Sequence, residues 1–274
     1  MATLEDDEGN INPTTTILAD EQDDAKTVCT VLDGTTDQLT QQHYVRSIDS
    51  TVVIRQLPSQ GLSFQLWPAA TTLVTLLDHH RGHLTNSPLS LTLPDPHRPL
   101  NILELGSGTG LVGIAAAATL GANVTVTDLT HVIPNLQFNV DANSDILTLN
   151  GGAVDVAPLR WGEANDVKLI GRHFDLILAS DVVYHSHLYD PLLETLRFLL
   201  LDHEGEKGAT VFVMAHLRRW KKDSVFFRKA RKLFQVEVLH VDSPSQGCRV
   251  GVVVYRFAVK LQKSNAGSLA NVSL

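Results

Sequence analysis

A glycine-rich loop between a predicted strand and a predicted helix constrains this chain more than any other feature. Residues 100–105 form an apolar, strand-like run, and Glu104-Leu-Gly106-Ser-Gly108-Thr-Gly110 leads from its end into an alanine-rich helix at 111–120. Glycine permits sharp turns and lets a ligand approach the backbone where a Cβ would clash. The loop therefore predicts a ligand cradle or, in the simpler interpretation, a tight turn. Its Gly-x-Gly-x-Gly spacing differs from the Gly-x-Gly-x-x-Gly of dinucleotide sites, which disfavours a dehydrogenase.

Strands and helices alternate along the chain after residue 99. Such alternation predicts an α/β fold, in which a mostly parallel sheet carries helices on both faces. The last two strands have no helix between them and predict an antiparallel C-terminal hairpin. We therefore expect a Rossmann-like domain with a seven-stranded sheet. The predicted strands are 100–105, 123–127, 153–156, 174–179, 209–215, 236–241 and 250–255, and the predicted helices are 111–120, 132–142, 188–201 and 224–234.

A β-hairpin is predicted ahead of this domain. Residues 51–57 are rich in β-branched side chains, residues 58–61 are typical of a turn, and residues 62–67 alternate apolar with polar side chains. Pro68 suits the first position of a helix, and apolar residues recur at helical spacing behind it. The segment thus predicts a strand, a turn, a second strand and a helix, in that order.

The composition indicates one domain with two poorly ordered ends. The chain has 274 residues and is 43% hydrophobic, which is enough for one sizeable core. Residues 1–40 are rich in Asp, Glu, Thr and Gln and show no period over most of their length, so we expect them to be largely disordered. One domain is expected over 41–260, with the hairpin and first helix in 41–82 and the Rossmann-like core in 99–260. The polar residues 261–274 are predicted to be a flexible tail.

Charge and cysteine content limit the compartment and the binding partners that can be expected for this protein. The net charge of −8 repels phosphate backbones, so nucleic acid is not an expected partner. Only two cysteines occur, Cys29 and Cys248, which fits a reducing compartment without a disulfide framework. The acidic N-terminus lacks the pattern of a secretory signal, and no apolar run reaches membrane-spanning length. We expect a monomer in the cytoplasm, with the nucleus as the alternative, and no membrane contact.

Two acids accompany the glycine loop. Asp128 ends the next predicted strand, 20 residues after Gly108, where a carboxylate can accept hydrogen bonds from both hydroxyls of a ribose. The alternative for Asp128 is an N-cap on the helix that follows. Glu104 lies inside an apolar strand, where an unpaired carboxylate is costly. It is predicted to hold backbone amides of the loop or to interact at longer range with a cationic ligand.

Two further polar clusters admit more than one interpretation. Arg218-Arg-Trp-Lys-Lys222 follows the fifth predicted strand and is either a solvated loop or a surface that recognises acidic residues of a partner protein. His185 and His187 form a His-x-His pair, a pattern that can bind metal. No further Cys, His or acid lies at metal-ligand spacing, so no metal site is predicted. The two histidines are interpreted as loop or substrate-recognition residues.

A series of short motifs resembles a known enzyme family. Ile102-Leu-Glu-Leu-Gly-Ser-Gly-Thr-Gly-Leu-Val-Gly113 and Val126-Thr-Asp128 are similar to the first two motifs of seven-β-strand methyltransferases. Four flanking motifs narrow the resemblance to methyltransferase family 16, the methyltransferase-like 21 group of protein-lysine methyltransferases. They are Trp67-Pro-Ala-Ala70, Asn135-Leu-Gln-Phe-Asn139, Leu159-Arg-Trp-Gly162 and Ala179-Ser-Asp-Val-Val-Tyr184. Pro68 is a departure, because relatives often carry an acid after this tryptophan.

This resemblance implies S-adenosylmethionine as the cofactor. The glycine loop would cradle its amino-acid portion, Asp128 would hold its ribose, and Ser180 would line the pocket with its backbone. Trp67 would pack on the cofactor from the N-terminal side and Trp161 would lie at the adenine, although both could instead be core tryptophans. The cofactor-binding candidates are Trp67, Glu104, Gly106, Ser107, Gly108, Asp128, Trp161 and Ser180.

The same resemblance implies methyl transfer to a lysine of a non-histone protein. Asp181 and Tyr184 would form the family's Asp-x-x-Tyr motif and are the candidate catalytic residues. Asp181 is predicted to orient the lysine amine or to receive its proton, and Tyr184 to form an aromatic gate or to contact a cationic substrate. In the alternative, Asp181 caps a helix that begins near His187, and Tyr184 is a packing residue.

Two other functions use the same cofactor site. One is methylation of a protein histidine or of a small amine. The other is a non-catalytic module that binds the cofactor and regulates a partner. The intact Asp181-x-x-Tyr184 motif argues against the non-catalytic module.

Overall fold

The computed structural model describes residues 29–31, 38–90, 92–93, 98–171, 173–201, 210–244 and 251–260. Most of the segment 1–40 predicted to be disordered, and all of the predicted tail 261–274, lie outside these residues. Within the first segment the structure describes a short strand β1 (Cys29–Val31) and the start of β2 (Leu39–Val45). The two strands pair antiparallel through their backbones, which the polar composition of this segment does not indicate.

The remaining elements follow the predicted order closely. Their bounds are β3 (Ser50–Gln56), α1 (Pro68–Gly82), β4 (Asn101–Leu105), α2 (Leu111–Leu120), β5 (Asn123–Asp128), α3 (Ile133–Ala142), α4 (Ser144–Leu149), β6 (Ala153–Pro158), α5 (Ala164–Ile170), β7 (Leu176–Ser180), α6 (Tyr189–Leu200), β8 (Val211–Leu217), α7 (Asp223–Leu233), β9 (Phe234–Val241) and β10 (Val252–Val259). The short helices α4 and α5 are absent from the prediction, because six or seven residues show too few turns for a clear helical period. In the described residues, no helix combines the length and hydrophobicity that a bilayer crossing requires.

Seven strands form the main sheet, in the order β6–β5–β4–β7–β8–β10–β9. Neighbours from β6 to β8 are parallel, whereas β10 pairs antiparallel with both β8 and β9. This confirms the predicted mostly parallel sheet with an antiparallel C-terminal hairpin. The order runs outward in opposite directions from β4 and β7. A crevice at the carboxyl ends of these two strands is therefore the expected ligand site.

Alternate residues of the central strands pack into two cores on opposite faces of the sheet. Ile102 of β4 and Leu178 of β7 lie in one core with α1, α2, α3 and the N-terminal strands. Leu103 and Ile177, their neighbours in sequence, lie in the other core with α6 and α7. The central strands are thus covered on both faces, which explains why they are largely apolar.

The N-terminal hairpin is confirmed, but the prediction of a strand at 62–67 is wrong. β3 pairs instead with β2, from Leu39 opposite Gln56 to Val45 opposite Ser50. Residues 62–67 begin as a single 3₁₀ turn, and both Phe64 and Leu66 are 3% exposed. Their alternation of apolar and polar side chains reflects burial of every second residue against the core. A strand partner is not needed to produce that pattern.

Two asparagines bind the outer edge of β3. The Asn139 side chain accepts a hydrogen bond from the Arg55 amide at 2.8 Å and donates to the Arg55 carbonyl at 3.0 Å. Asn143 repeats the pattern with the Val53 amide at 2.9 Å and the Val53 carbonyl at 2.8 Å. These side chains replace a neighbouring strand along the edge, so they fix the hairpin to α3 and satisfy its backbone.

Candidate active site

A cavity of about 870 Å³ lies at the carboxyl ends of β4, β5 and β7, beside the point where the strand order reverses. Its position agrees with the common ligand site of open α/β sheets. The structure brings all ten candidate residues together in its wall. They are Trp67, Glu104, Gly106, Ser107, Gly108, Asp128, Trp161, Ser180, Asp181 and Tyr184.

The glycine loop adopts backbone conformations that favour glycine. Gly106 and Gly108 have φ angles of 62° and 55°. A Cβ at residue 108 would also lie 3.0 Å from the Ser63 carbonyl oxygen, so the loop packs against the segment before α1. Ser107 anchors the loop to β5, because its hydroxyl accepts a hydrogen bond from the Thr127 amide at 3.0 Å. The loop is therefore a fixed part of the cavity wall.

Asp128 is held by the glycine loop at the end of β5. One carboxylate oxygen accepts the Gly108 amide at 2.8 Å and the other accepts the Leu129 amide at 2.7 Å. Burial raises the pKa of Asp128, and the two amides oppose this effect. Helix α3 begins at Ile133 with Val132 at its N-cap position, so Asp128 does not cap it. The structure thus leaves the ribose-binding interpretation of Asp128 as the better supported one.

Glu104 is fully buried in β4 and also lines the cavity. Its Oε2 accepts the Gly113 amide at 2.9 Å, and a Cβ at residue 113 would lie 2.7 Å from that oxygen. Its Oε1 lacks a well-formed hydrogen bond among the described residues, although the nearby Ser107 side chain opposes the rise in the pKa of this carboxyl. Burial raises the pKa of Glu104 to about 8, so this carboxyl is protonated at neutral pH. Glu104 therefore holds the first turn of α2 and leaves one buried polar atom unpaired.

All three tryptophans of the chain line the cavity. The Trp67 indole donates to the Leu62 carbonyl at 3.0 Å, which fixes its ring at the N-terminal side. The Trp161 ring lies against Gly106, where a Cβ would come within 2.9 Å of it. Both tryptophans are only partly buried, and Trp161 also packs against the core beneath α6. Trp220, the third, belongs to the cluster at 218–222 and was not predicted to line the cavity.

Asp181 has a backbone conformation that is rare outside glycine, with φ at 54°. Its Oδ1 accepts the Leu217 amide at 2.9 Å and its Oδ2 accepts the Arg219 guanidinium at 3.0 Å. Burial alone would raise the pKa of Asp181, but contacts with His216 and Arg219 lower it to about 2. Both oxygens are thus occupied by β8 and the loop after it, and the carboxylate is a poor proton acceptor at neutral pH. The 3₁₀ turn at 186–188 has no side-chain cap, so the capping interpretation is not supported either.

A buried network of charged side chains lies behind Asp181. His216 Nδ1 lies 3.7 Å from Asp181 Oδ1, and its Nε2 lies 3.3 Å from Asp223 Oδ2. Burial alone would lower the pKa of His216, but its two carboxylate neighbours raise it. The guanidinium of Arg219 lies 5.0 Å from the Trp67 ring and so links this network to the opposite cavity wall. The cluster at 218–222 marks this place in the sequence, but its buried partners depend on tertiary contacts.

Tyr184 and His185 line an aromatic edge of the cavity, and His187 stacks on His185 outside it. The ring centroid of Tyr184 lies 4.7 Å from that of His185, which lies 5.3 Å from that of His187. Burial and the charge of Asp128 raise the pKa of Tyr184, so its phenol stays neutral. Within the described ranges, no group of three or more Cys, His, Asp or Glu side chains is arranged so that it could hold a metal ion.

The fold and this site define an S-adenosylmethionine-dependent methyltransferase: a switch-point cavity combines a glycine loop, an acid at the next strand end and cavity-lining tryptophans. A protein-family model described as lysine methyltransferase matches residues 47–233. The chain belongs to this lysine methyltransferase family.

Two relatives that are named lysine methyltransferases agree with that assignment. Protein N-lysine methyltransferase METTL21A of Danio rerio is 36% identical over 205 residues, which cover 75% of this chain and 80% of the relative. EEF1A lysine methyltransferase 3 of Mus musculus is 33% identical and covers 72% of each chain. A solved structure of a predicted O-methyltransferase, Atu636 from Agrobacterium tumefaciens, has 16% identity and a TM-score of 0.48, covering 64% of this chain and 81% of its own.

Proposed function

We propose that this chain methylates a lysine side chain of a non-histone protein in the cavity described above. The observation that carries the proposal is the convergence of all ten candidate residues in one cavity at the sheet's switch point. The names of its relatives support the substrate class, because they include a protein N-lysine methyltransferase and a lysine methyltransferase for EEF1A.

The residues present fit the cofactor. Asp128 offers a buried carboxylate for ribose hydroxyls beside the Gly108 amide. Trp161 and Trp67 offer ring faces for packing, and the volume of about 870 Å³ lies in the usual range for small-molecule sites. Glu104 is a buried carboxyl in the same wall, and a cationic amino group beside its Oε1 would favour the ionised form over the protonated one.

When bound, S-adenosylmethionine supplies an activated methyl group, so the protein's task is to place a neutral amine in line with it. Orientation of this kind contributes roughly 7–11 kcal/mol to barrier reduction. A free lysine has a pKa of about 10.4, and nearby cations favour its neutral form. Lys222 lines the cavity and supplies such a charge, whereas Arg219 is paired with Asp181. We therefore propose that burial and this cation lower the pKa of the lysine amine, which releases its proton to solvent before the methyl group is transferred.

Asp181 acts in this proposal as a positioning residue. It accepts the Arg219 guanidinium and the Leu217 amide, so it sets where the loop after β8 meets the cavity. Tyr184 is the residue proposed to contact the amine. Its neutral phenol can accept or donate a hydrogen bond, and its ring can face a lysine cation as it enters.

The domain boundaries and the compartment are further parts of the proposal. We propose a single domain over 41–260, supported by the bonds of Asn139 and Asn143 that join the hairpin to α3. We also propose a monomer in the cytoplasm, with the nucleus as the alternative. The low cysteine count supports a reducing compartment.

The decisive experiment follows a labelled methyl group to its acceptor. Purified protein is incubated with methyl-labelled S-adenosylmethionine and a cell lysate, and labelled protein bands are hydrolysed to amino acids. We expect the label in methyl-lysine of a non-histone protein. Label in methylhistidine or in small molecules would show that the acceptor is not lysine. Cofactor binding without any transfer would favour a regulatory module.

The Asp181→Asn protein tests the positioning role in the same assay. An amide keeps one acceptor oxygen but loses the charge that holds Arg219, so we expect kcat/KM to fall by roughly ten- to hundredfold. The exposed Asp145→Asn change on α4 is the matched control and should leave turnover unchanged. Full activity of the Asp181→Asn protein would remove Asp181 from the mechanism.

A further inference from the structure

Positive charge is concentrated in one short stretch of this acidic chain. Residues 218–232, here called the basic strip, contain eight Lys or Arg and a single acid, Asp223, although the whole chain has a net charge of −8. The strip covers the loop after β8 and most of α7. The single acid is fully buried against His216, so it does not offset the charge at the surface.

The basic strip begins at the cavity. Arg219, Trp220 and Lys222 all line the cavity wall, and the Lys222 ammonium lies 5.3 Å from the Trp220 ring. Further along, Lys229 of α7 binds Asp190 at 2.7 Å, next to Pro191, which also lines the cavity. A substrate segment that reaches the cavity past these residues would therefore run beside their charges.

Most of this charge is not compensated by the protein itself. Arg219 pairs with Asp181 and Lys229 with Asp190. The other six cations of the strip have no acidic side chain within 4.0 Å among the residues that the structure describes. They are Arg218, Lys221, Lys222, Arg228, Arg231 and Lys232.

We propose that the basic strip binds an acidic segment next to the target lysine in the protein substrate. This inference rests on the proposed function and specifies its substrate class. A lysine approaching this entrance meets like charge, and flanking Asp or Glu residues would offset that repulsion while pairing with the strip. Charges at the rim of an interface govern encounter rate and choice of partner more than they govern total affinity.

An acidic protein segment suits this surface better than a nucleic acid does. Single-stranded nucleic acids are bound by basic grooves with exposed aromatic platforms. The two phenylalanines of the strip, Phe226 and Phe227, are buried, and Trp220 faces the cavity. The rest of the chain is strongly acidic, which opposes an extended phosphate backbone.

The test uses synthetic peptides that contain one central lysine flanked by glutamate, by glutamine or by arginine. Fluorescence anisotropy measures docking of each labelled peptide, and methyl transfer from labelled S-adenosylmethionine measures turnover. We expect the glutamate peptide to bind most tightly and to have the highest kcat/KM. Its advantage should shrink as salt rises, because exposed charges are screened.

Two exposed cations outside the cavity wall provide the variant. The double change Lys221→Gln and Arg228→Gln should lower kcat/KM for the glutamate peptide by roughly three- to tenfold and leave the glutamine peptide unaffected. The matched control changes Arg46 and Lys168, two exposed cations elsewhere, to glutamine and should alter neither peptide.

Failure of this inference can be separated from failure of the proposed function. Equal docking and equal methylation of the three peptides would overturn the acidic-segment proposal and leave lysine methylation intact. Tighter binding of a labelled single-stranded RNA than of the glutamate peptide would also overturn it. Because anisotropy needs no turnover, selective docking of the glutamate peptide supports the inference even if none of the peptides is methylated.

Discussion

Glu104 makes the stability of the folded protein depend on pH. Its pKa is about 8 in the folded protein because burial disfavours the charged form, against an ordinary value of 4.5. The folded state therefore binds this proton more tightly than the unfolded state. The stability that this bound proton gives the folded state is present in full below pH 4.5. It is lost progressively as pH rises from there through about 8. An acid placed in an apolar strand thus limits the stability of the ligand-free protein under alkaline conditions.

Changing Glu104 to Gln should remove this dependence. The amide keeps an acceptor oxygen for the Gly113 amide and never ionises. We expect the variant to gain stability over the parent between pH 5 and pH 9, by on the order of 4 kcal/mol. Urea unfolding at the two pH values measures the difference. The exposed Glu163→Gln protein should follow the parent curve, and parallel curves for Glu104→Gln would refute the buried-proton account.

The residues of the glycine loop and Asp128 were predictable because their chemistry is local. A glycine loop followed by an acid 20 residues later specifies a ligand contact without knowledge of distant neighbours. The role of Asp181 was not predictable in this way. The positioning role proposed for it rests on contacts with Arg219 and His216, which lie 38 and 35 residues further along the chain.

Among the elements, α2 shows why some boundaries are predictable. Its predicted bounds, 111–120, match the structure because glycines mark both ends: Gly110 and Gly121 have φ angles of 87° and 59°. Residues 62–67 show the opposite case. Alternating burial alone does not distinguish a strand from an irregular segment that packs against the core. The true partner of β3, β2, begins inside a segment whose polar composition predicts disorder.

The attachment of β3 to α3 depends on Asn139. Its side chain bonds the Arg55 amide and carbonyl and also donates to the Thr109 carbonyl at 2.9 Å. The Asn139→Ala change leaves these buried groups unpaired, so we expect a loss of roughly 2–3 kcal/mol in the free energy of unfolding. Urea unfolding measures the loss, and hydrogen exchange at the Arg55 amide should speed up with it.

The exposed Asn165→Ala change on α5 is the control for this experiment and should cost less than about 0.5 kcal/mol. An Asn139→Ala protein as stable as the parent would show that water replaces the side-chain bonds. In that case the asparagines would not be what fixes the hairpin beside the cavity.

For the whole molecule, topology explains how much of the site could be predicted. Parallel strands place their carboxyl ends on one edge of a sheet, so Gly106, Asp128 and Asp181 could be assigned to one crevice from strand order alone. The return of β8 to the same edge adds Arg219 and Trp220. Their contacts depend on how a loop folds over the crevice, which periodicity does not report. The charge of the basic strip is visible in the sequence, but its lack of acidic partners is visible only in three dimensions.

Binding of the demethylated cofactor, S-adenosylhomocysteine, should stabilise the whole domain. A ligand that binds only the folded state contributes about 2.7 kcal/mol at one hundred times its Kd. For a domain of this size that corresponds to a rise in Tm of roughly 5–10 °C. Thermal unfolding followed by scanning calorimetry, with and without the ligand, measures the shift.

The Asp128→Asn change should reduce this shift to half or less at the same ligand concentration. The amide keeps one acceptor for the Gly108 amide but cannot make two charge-assisted bonds to ribose, a loss of about 1.5–3 kcal/mol in binding. The exposed Asp145→Asn protein should keep the full shift. An undiminished shift in the Asp128→Asn protein would remove the carboxylate from cofactor binding. No shift in the parent protein would mean that the cavity does not bind this nucleoside, because a ligand that binds only the folded domain must stabilise it.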